Sequence, residues 1–434
     1  MTTTFTASII DLSHDGRGVA HINGKTTFIS GALPQETVTA QYTNKRSQFD
    51  EAKMIDVITA STERAQPPCQ HFGVCGGCSL QHMSPTLQIQ HKQQTLLNQL
   101  QHFGHITPEQ ILPPITGPTL GYRRKARLGV RYVRKKQRLL VGFREMNGRY
   151  LADLQQCEVL DPRVGKKLTE LATLIGKLKH YDHIPQIEVA AGDKQVALIF
   201  RHMVTLDEDE KQQLCDFGQV HQFDIYLQPA GMDSIHKIFP DDNSLRLSYT
   251  LQNEDLELLF HPADFTQVNS NINQQMIQQA LHLLALSPTD NVLDLFCGLG
   301  NFTLPMAKHC QHVTGIEGDA AMVKRGYENA AHNKLNNVTF YSANLMEDFT
   351  HAPWFKADYD KVLLDPPRAG AQEIVTHLAK LHVKRIVYVS CHPATLARDA
   401  GILMQHGYRL KCVGVMDMFP HTEHVESIAM FELT

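Results

Sequence analysis

The chain has 434 residues, 42% of them hydrophobic, and a formal net charge of −4 at pH 7. This length predicts about two to four globular domains, and the charge excludes a protein that is basic overall. No apolar run is long enough to cross a membrane and residues 1–16 lack a secretion signal, so we expect a cytoplasmic protein. Nine cysteines in such a chain indicate metal binding or catalysis rather than disulfide bonds.

Residues 1–62 alternate short β-prone runs with turn signals such as Asp15-Gly16 and Asn23-Gly24. The predicted strands cover residues 5–11, 18–22, 26–29, 36–44 and 49–58. Five short strands in about sixty residues predict an OB-like β-barrel, a fold that often binds oligonucleotides. The alternative is a β-domain without a ligand.

Three cysteines, Cys69, Cys75 and Cys78, fall within ten residues after a proline-containing linker. The two glycines between Cys75 and Cys78 allow both thiols to face one centre. A fourth ligand is needed, and Cys157 is the best candidate, although it lies far along the chain. Four thiolates suit Zn²⁺ or an iron–sulfur cluster, and the spacing does not choose between them. The alternative is a set of reduced structural thiols.

Residues 121–145 carry ten basic side chains and a single acid, Glu145, so positive charge is concentrated here. Three aromatic residues are interleaved with these charges. Basic side chains bind phosphates, and aromatic rings stack on unpaired bases. We therefore predict that this basic stretch contacts RNA, the alternative being a solvated charged face. Around it, residues 63–260 predict a central α+β domain that also contains the cysteine loop.

From residue 261 to 434, short apolar strands alternate with helices, which predicts a mostly parallel, doubly wound Rossmann-like sheet. Gly298 and Gly300, between the first strand and a helix, indicate a nucleotide cradle or else an ordinary βα turn. Later strands end in polar residues, namely Glu317, Asn344, Asp365 and Cys391. Ligands of such sheets bind outside the carboxyl ends of the strands, so we expect these residues at one cofactor-binding edge.

Cys391 opens onto that predicted edge, which indicates a nucleophile; the alternative is a buried core cysteine. Glu426 stands just before the last strand and is a candidate general base, or else a plain exposed acid. Gln267 and Asn269 come just before a predicted helix, where the pattern indicates a helix cap rather than a functional pair.

Four motifs resemble those of the RNA uracil-C5 methyltransferases, which use S-adenosylmethionine: DLFCGLGNFTLP, LLDPPRAG, VYVSCHPATLARD and MFPHTEHVE. The first sixty or so residues resemble the TRAM domain of that family, and the Cys69–Cys78 loop with Cys157 resembles its four-cysteine 4Fe–4S site. This combination is most similar to the family members that act on 23S ribosomal RNA. The resemblance covers nearly the whole chain.

The resemblance implies roles for individual residues. Cys391 would attack C6 of the uracil and make C5 nucleophilic toward the methyl group, and Glu426 would then remove the C5 proton. The positions that match cofactor contacts are Gln267, Phe296, Asn301, Glu317, Asn344 and Asp365. Asp365 would also face the base, and Gln267 would be a ligand contact rather than a cap. The cysteines that would hold the cluster, in preference to zinc, are Cys69, Cys75, Cys78 and Cys157.

We therefore expect an enzyme that binds a single-stranded or flipped uracil of 23S ribosomal RNA, because a stacked base cannot reach a nucleophile. We also expect a monomer that needs neither a membrane nor an obligate protein partner. Three alternatives stay open. They are the same chemistry on another RNA such as tRNA, a non-catalytic RNA-binding iron–sulfur protein, and a redox-responsive regulator that acts through the cluster.

Overall fold

The computed structural model describes residues 4–146, 148–242, 244–356, 358–378, 381 and 383–434. Within these residues the strands form four sheets: an N-terminal curled sheet, a mixed central sheet, a two-stranded ribbon and a large C-terminal sheet. None of the described helices combines the length and apolar character needed to cross a membrane.

The N-terminal sheet contains β1 (Thr4–Ser8), β2 (Asp11–Leu12), β3 (Gly18–Ile22), β4 (Lys25–Ser30), β5 (Thr37–Lys45) and β6 (Phe49–Thr59), in the order β1-β5-β6-β4-β3-β2. The sheet curls until the segment after β1 meets β3, where the Ile10 amide donates to the Val19 carbonyl at 2.9 Å. Alternate residues of β5, such as Val38 and Ala40, point into a small apolar core. The predicted strands are present, although the first is split into β1 and β2.

Two elements that precede the central sheet pack instead on the C-terminal domain. They are α1 (Pro85–Gln99), which continues into a π-helical turn (Leu100–Gly104), and β7 (Gln110–Ile111). The Ser84 hydroxyl caps α1 by accepting from the Leu87 amide at 3.0 Å. Leu96 and Leu100 are buried in the core of the C-terminal domain, and β7 extends its sheet.

The central sheet is built from β8 (Lys125–Val133), β9 (Arg138–Gly142), β10 (Gln186–Ala191), β11 (Val196–Arg201), β12 (Phe223–Gln228) and β13 (His236–Phe239), in the order β13-β12-β11-β10-β8-β9. The helices beside it are α2 (Pro162–Gly165), α3 (Leu168–Lys177) and α4 (Glu208–His221). Leu171, Ile175 and Leu214 from these helices are buried against the sheet. The ribbon of β14 (Leu247–Leu251) and β15 (Leu256–Phe260) follows.

The C-terminal domain contains α5 (Ser270–Leu284), β16 (Asn291–Leu295), α6 (Thr303–Ala307), β17 (His312–Glu317), α7 (Ala320–His332), β18 (Val338–Ser342), β19 (Lys361–Leu364), α8 (Gln372–Leu378), β20 (Arg385–Ser390), α9 (Pro393–Gln405), β21 (Tyr408–Met416) and β22 (Glu426–Leu433). Successive residues of β16 point to opposite layers, because Val292 packs in the core formed with α5 and α6 and Leu293 in the core formed with α8 and α9. The predicted doubly wound arrangement is therefore present.

The strand order of this sheet is β18-β17-β16-β19-β20-β22-β21-β7. Strands β16 to β20 run parallel, whereas β22 is antiparallel to both of its neighbours. After β16 the chain continues to β17 and β18 on one side of that strand. It then crosses back to form β19 on the other side of β16. The carboxyl end of β16 is thus the point where the strand order reverses, which is where such sheets bind ligands.

Candidate active site

Cys391 is the first residue after β20, and Glu426 is the first residue of β22. The antiparallel register pairs Ser390 with Ser427, so the next residues outward, Cys391 and Glu426, lie opposite each other at the end of β20. The turn after β20 is held by Ser390, whose hydroxyl accepts a hydrogen bond from the His392 amide at 3.2 Å. The fold therefore brings together a thiol and a carboxyl that are distant in sequence.

The protonation of this pair is set mainly by burial. Burial raises the pKa of the Cys391 thiol to about 11, the carboxyls of Glu426 and Asp365 add to the shift, and the Arg368 charge opposes it. Burial also raises the pKa of Glu426 to about 8, assisted by Asp365. These raised pKa values favour the protonated forms of both groups at neutral pH.

Asp365 follows β19, and its amide donates to the Leu295 carbonyl at 3.2 Å, which ties this loop to the end of β16. Burial raises the pKa of the Asp365 carboxyl to about 7. One of its oxygens accepts a hydrogen bond from Gln267 Nε2 at 3.4 Å. Asn269, and not Gln267, caps α5 by accepting from an amide of its first turn at 3.3 Å. The structure thus separates the two residues that the pattern grouped as a cap.

The turn between β16 and α6 has an unusual backbone. Phe296, Gly298 and Gly300 all have positive φ, at 63°, 55° and 98°, and a glycine adopts this conformation without the steric cost that Phe296 bears. The Gly298 amide donates to Glu317 Oε2 and the Asp319 amide to Glu317 Oε1, each at 3.0 Å. Each carboxylate oxygen keeps a free lone pair, which can accept from a ribose hydroxyl.

Asn301 and Asn344 follow the ends of β16 and β18. The Asn301 side chain exchanges hydrogen bonds with Asn273 at 2.9 and 3.0 Å and accepts from the Tyr249 hydroxyl at 2.9 Å, so it is firmly anchored. Asn344 is exposed and accepts from the Met346 amide at 3.1 Å within its own turn. Both residues lie on the sheet edge that also carries Glu317 and Asp365.

Sequence reasoning did not single out two residues of this site, Asp294 and Arg368. Asp294 is fully buried in β16, where Oδ2 accepts from the Thr303 hydroxyl at 2.5 Å and Oδ1 has no hydrogen-bond partner among the described residues. Burial raises the pKa of Asp294 to about 8. Arg368 is exposed and lies with Nη2 2.8 Å from His424 Nδ1. The sequence signal for Asp294 is an acid within an apolar strand, and the signal for Arg368 is an arginine after two prolines.

The four cysteines predicted as ligands line one cavity of about 220 Å³; they are Cys69, Cys75, Cys78 and Cys157. The loop is tied down by the Gly76 amide, which donates to the Arg144 carbonyl at 2.8 Å. Burial, with the other thiols nearby, raises the pKa of Cys78 to about 12 and that of Cys157 to about 11. No three His, Cys, Asp or Glu side chains of the described residues are grouped closely enough for a single metal ion.

The ten basic residues of the basic stretch divide into two sets. Lys125 is engaged by backbone, donating to the Pro262 carbonyl at 3.0 Å, and Arg124 pairs with Asp193 at 2.6 Å. Arg123 donates to the Lys125 carbonyl at 3.0 Å, and Arg127, Lys136 and Arg138 have acidic partners. Four others are exposed and have no acid within 4.0 Å among the described residues; they are Arg131, Arg134, Lys135 and Arg144. Only part of the stretch is therefore available to a polyanion.

Comparison with known proteins adds to this geometry. The family model for tRNA (uracil-5-)-methyltransferase matches residues 85–433, and that for the TRAM domain matches residues 2–55. A relative from Alcanivorax borkumensis is 54% identical over 426 residues, which cover 98% of this chain and 96% of that protein. A Francisella tularensis subsp. novicida relative is 54% identical and covers 99% and 96%. Both are named 23S rRNA (uracil(1939)-C(5))-methyltransferase RlmD.

A solved structure, Pyrococcus abyssi tRNA (uracil-54, C5)-methyltransferase with S-adenosyl-L-homocysteine, has a TM-score of 0.74 at 22% identity and covers 98% of this chain and 100% of that chain. This likeness shows the fold. The family models and the two relatives confirm the resemblance drawn from the sequence motifs, and the comparisons together show the S-adenosylmethionine-dependent methyltransferase fold and the N-terminal TRAM domain. Because the family model spans most of the chain and the relatives match along nearly all of it, this chain belongs to the tRNA (uracil-5-)-methyltransferase family.

Proposed function

We propose that this chain transfers a methyl group to C5 of a uracil in 23S ribosomal RNA, at the position that its relatives' names number 1939. The observation that carries the proposal is the strand register that sets Cys391 opposite Glu426, beside Asp365. The 54% identity to proteins of that name supports the choice of RNA. Because the proposed substrate is ribosomal RNA, we place the reaction in the cytoplasm. We also propose that a monomer carries it out.

The cofactor edge fits the methyl donor. S-adenosylmethionine, when bound, supplies a methyl group on a sulfonium. Glu317 is held by two amides and keeps lone pairs for the ribose hydroxyls, and the Phe296–Gly300 turn leaves room for close approach of a ligand. We assign the remaining contacts to residues on the same edge, namely Gln267, Asn301, Asn344 and Asp365.

The chemistry follows from the weak nucleophilicity of uracil C5. Cys391 loses its thiol proton to solvent as its sulfur bonds to C6, and the C5=C6 electron pair moves toward C5 and O4. C5 then bonds to the methyl carbon, whose bond to the sulfonium sulfur would break so that the donor leaves as a neutral thioether. Glu426, as the carboxylate, removes the C5 proton, the C5=C6 double bond is restored, and the C6–S bond breaks to release the Cys391 thiolate.

We also propose that Cys69, Cys75, Cys78 and Cys157 hold an iron–sulfur cluster. The four thiols line one cavity of about 220 Å³, which leaves room for a group larger than a single Zn²⁺. Their raised pKa values describe thiols without a cation, and cluster iron would stabilise the thiolates. Iron and acid-labile sulfide in anaerobically purified protein would support this, with Cys75→Ala losing both and Cys412→Ala as a control outside the cavity. Zinc instead of iron would refute it.

The proposed reaction is tested by label transfer from S-adenosylmethionine to protein-free 23S ribosomal RNA and, separately, to bulk tRNA. We expect label in 23S ribosomal RNA, none with Cys391→Ala, and an unchanged rate with Cys215→Ala, a control cysteine on α4. Label in tRNA alone would keep the mechanism and discard the ribosomal assignment. No transfer to either RNA, from protein that holds its cluster, would favour the binding-protein alternative.

A further inference from the structure

The loop between β21 and β22, residues 417–425, touches both sites described above. Thr422 and His424 line the cavity that the four cysteines surround, and the loop leads directly into Glu426. It is also bonded to the chain just after Cys78. The amide of Ser79 and the next amide donate to the His421 carbonyl at 2.9 and 3.0 Å, and the Ser79 hydroxyl contacts the Glu423 carboxylate. A group held by the cysteines is therefore connected to the strand that begins with the proposed base.

His424 links the cavity to a charged group of the active site. Its Nδ1 lies 2.8 Å from Nη2 of Arg368. A guanidinium only donates hydrogen bonds, so Nδ1 accepts and the ring proton resides on Nε2. His424 thus contacts Arg368 through Nδ1 and keeps an N–H donor at Nε2. The same residue forms part of the cavity wall.

Arg368 acts on the reacting pair through its charge. It comes three residues after Asp365, and its guanidinium contacts His424 rather than an acid among the described residues. Its positive charge lowers the pKa of both Cys391 and Glu426, against the larger effect of burial. A Coulomb interaction depends on distance, so the effect requires that the guanidinium stays in place.

We propose that His424 is a positioning residue that couples the cluster to the nucleophile. It accepts a hydrogen bond from Arg368 while its ring forms part of the wall of the cysteine cavity, and it thereby holds the guanidinium where it favours the Cys391 thiolate. This inference rests on the proposed function, because it requires both the cluster and the cysteine nucleophile.

The test measures the thiol rather than turnover. Full-length, cluster-loaded protein is alkylated with iodoacetamide, and the Cys391 peptide is followed by mass spectrometry. We expect His424→Ala to slow alkylation of Cys391 about three- to tenfold, because the thiolate fraction falls when a favourable charge moves away. Arg368→Ala should slow it equally, and the double variant should be no slower than either, since both changes remove one interaction.

Two further variants separate positioning from general disruption. His424→Gln keeps an acceptor and a donor and should restore a rate close to that of the wild type. His406→Ala, which removes a ring that contacts the Ile402 carbonyl at the end of α9, should have no effect. Loss of the cluster through Cys75→Ala should slow Cys391 alkylation in the wild-type background and add nothing to His424→Ala.

Each outcome decides a separate point. Equal Cys391 alkylation in wild type and His424→Ala, with iron present in both, would overturn the coupling and leave the proposed function standing. Additive effects of His424→Ala and Arg368→Ala would also overturn it. A wild-type protein that contains no iron or sulfide would instead refute the cluster assignment.

Discussion

The ammonium group of Lys92, within α1, lies 2.7 Å from the Asp417 carboxylate and 2.9 Å from the Phe419 carbonyl, and both charged side chains are buried. This contact joins a helix from before the central sheet to the loop that precedes Glu426. Removing one partner of a buried pair leaves an uncompensated charge, whereas the contact itself adds little stability. The pair therefore makes the placement of the loop depend on α1.

Lys92→Met is expected to lower the free energy of unfolding by about 3–5 kcal/mol, because the Asp417 carboxylate would stay buried without its partner. Urea denaturation followed by circular dichroism measures this. Lys411→Met, which removes the exposed pair with Glu109, should cost only about 0–1 kcal/mol. If Lys92→Met and Lys411→Met lose equal unfolding free energy, the buried pair contributes no more to stability than the exposed pair.

Glu426→Gln should stop the reaction after methyl transfer, since an amide cannot take the C5 proton. We expect turnover to fall about 10²- to 10⁴-fold while a covalent RNA–protein adduct accumulates through Cys391. A denaturing gel shows the adduct as a slower band. Cys391→Ala should give no adduct, and Glu373→Gln, at the start of α8, should behave as wild type. A Glu426→Gln protein without adduct would argue against its role as the base.

Asp294→Asn tests the buried carboxyl beneath the cofactor turn. The pKa of Asp294 is raised to about 8, so the folded state keeps a proton that the unfolded chain releases near about pH 4. Wild-type stability should consequently fall as pH rises from about 4 to about 8, by up to about 1.4 kcal/mol per pH unit from this group. The asparagine variant should lack this component and become the more stable protein toward pH 8.

The measurement is urea denaturation at several pH values, with Asp241→Asn, an exposed acid, as the matched control. The difference in unfolding free energy between Asp294→Asn and wild type should grow with pH and level off above about pH 8. A difference that is constant over this range would mean that Asp294 titrates alike in both states.

Variants of the exposed basic residues should affect RNA binding, whereas variants of the basic residues engaged in structural contacts should affect stability. Arg134→Ala and Lys135→Ala change exposed residues without acidic partners among the described residues, so each should weaken RNA binding. Each lost phosphate contact should reduce the slope of log affinity against log salt by about 0.7 for single-stranded RNA. Lys125→Ala should instead lower stability, because Lys125 donates to the Pro262 carbonyl from a half-buried position.

Filter binding at several KCl concentrations distinguishes the two kinds. Lys211→Ala, on the surface of α4 and paired with Glu208, is the control and should leave the slope unchanged. If the slope is the same in Arg134→Ala, Lys135→Ala and Lys211→Ala, RNA does not contact this part of the stretch.

Local patterns accounted for the elements and for the edge on which the site lies. Strands such as Asn291–Leu295 are short apolar runs, and Glu317 and Asp365 stand at strand ends, where parallel strands converge on one edge. The same reasoning grouped Gln267 with Asn269 as a cap, although only Asn269 caps α5 and Gln267 donates to Asp365. When a polar residue stands before a helix, the local sequence does not show which distant residue its side chain will contact.

By itself the sequence determined the N-terminal TRAM domain, the strand–turn–helix unit at Gly298 and Gly300, and the family through its motifs, because these depend on residues close together in the chain. Only the tertiary structure decided that Cys391 lies opposite Glu426, since this requires β22 to insert antiparallel between β20 and β21. It also decided which basic residues are consumed by structural contacts and that one loop reaches both the cysteine cavity and Arg368. Contacts between distant segments follow from strand register and packing, and neither can be derived from a short stretch of sequence alone.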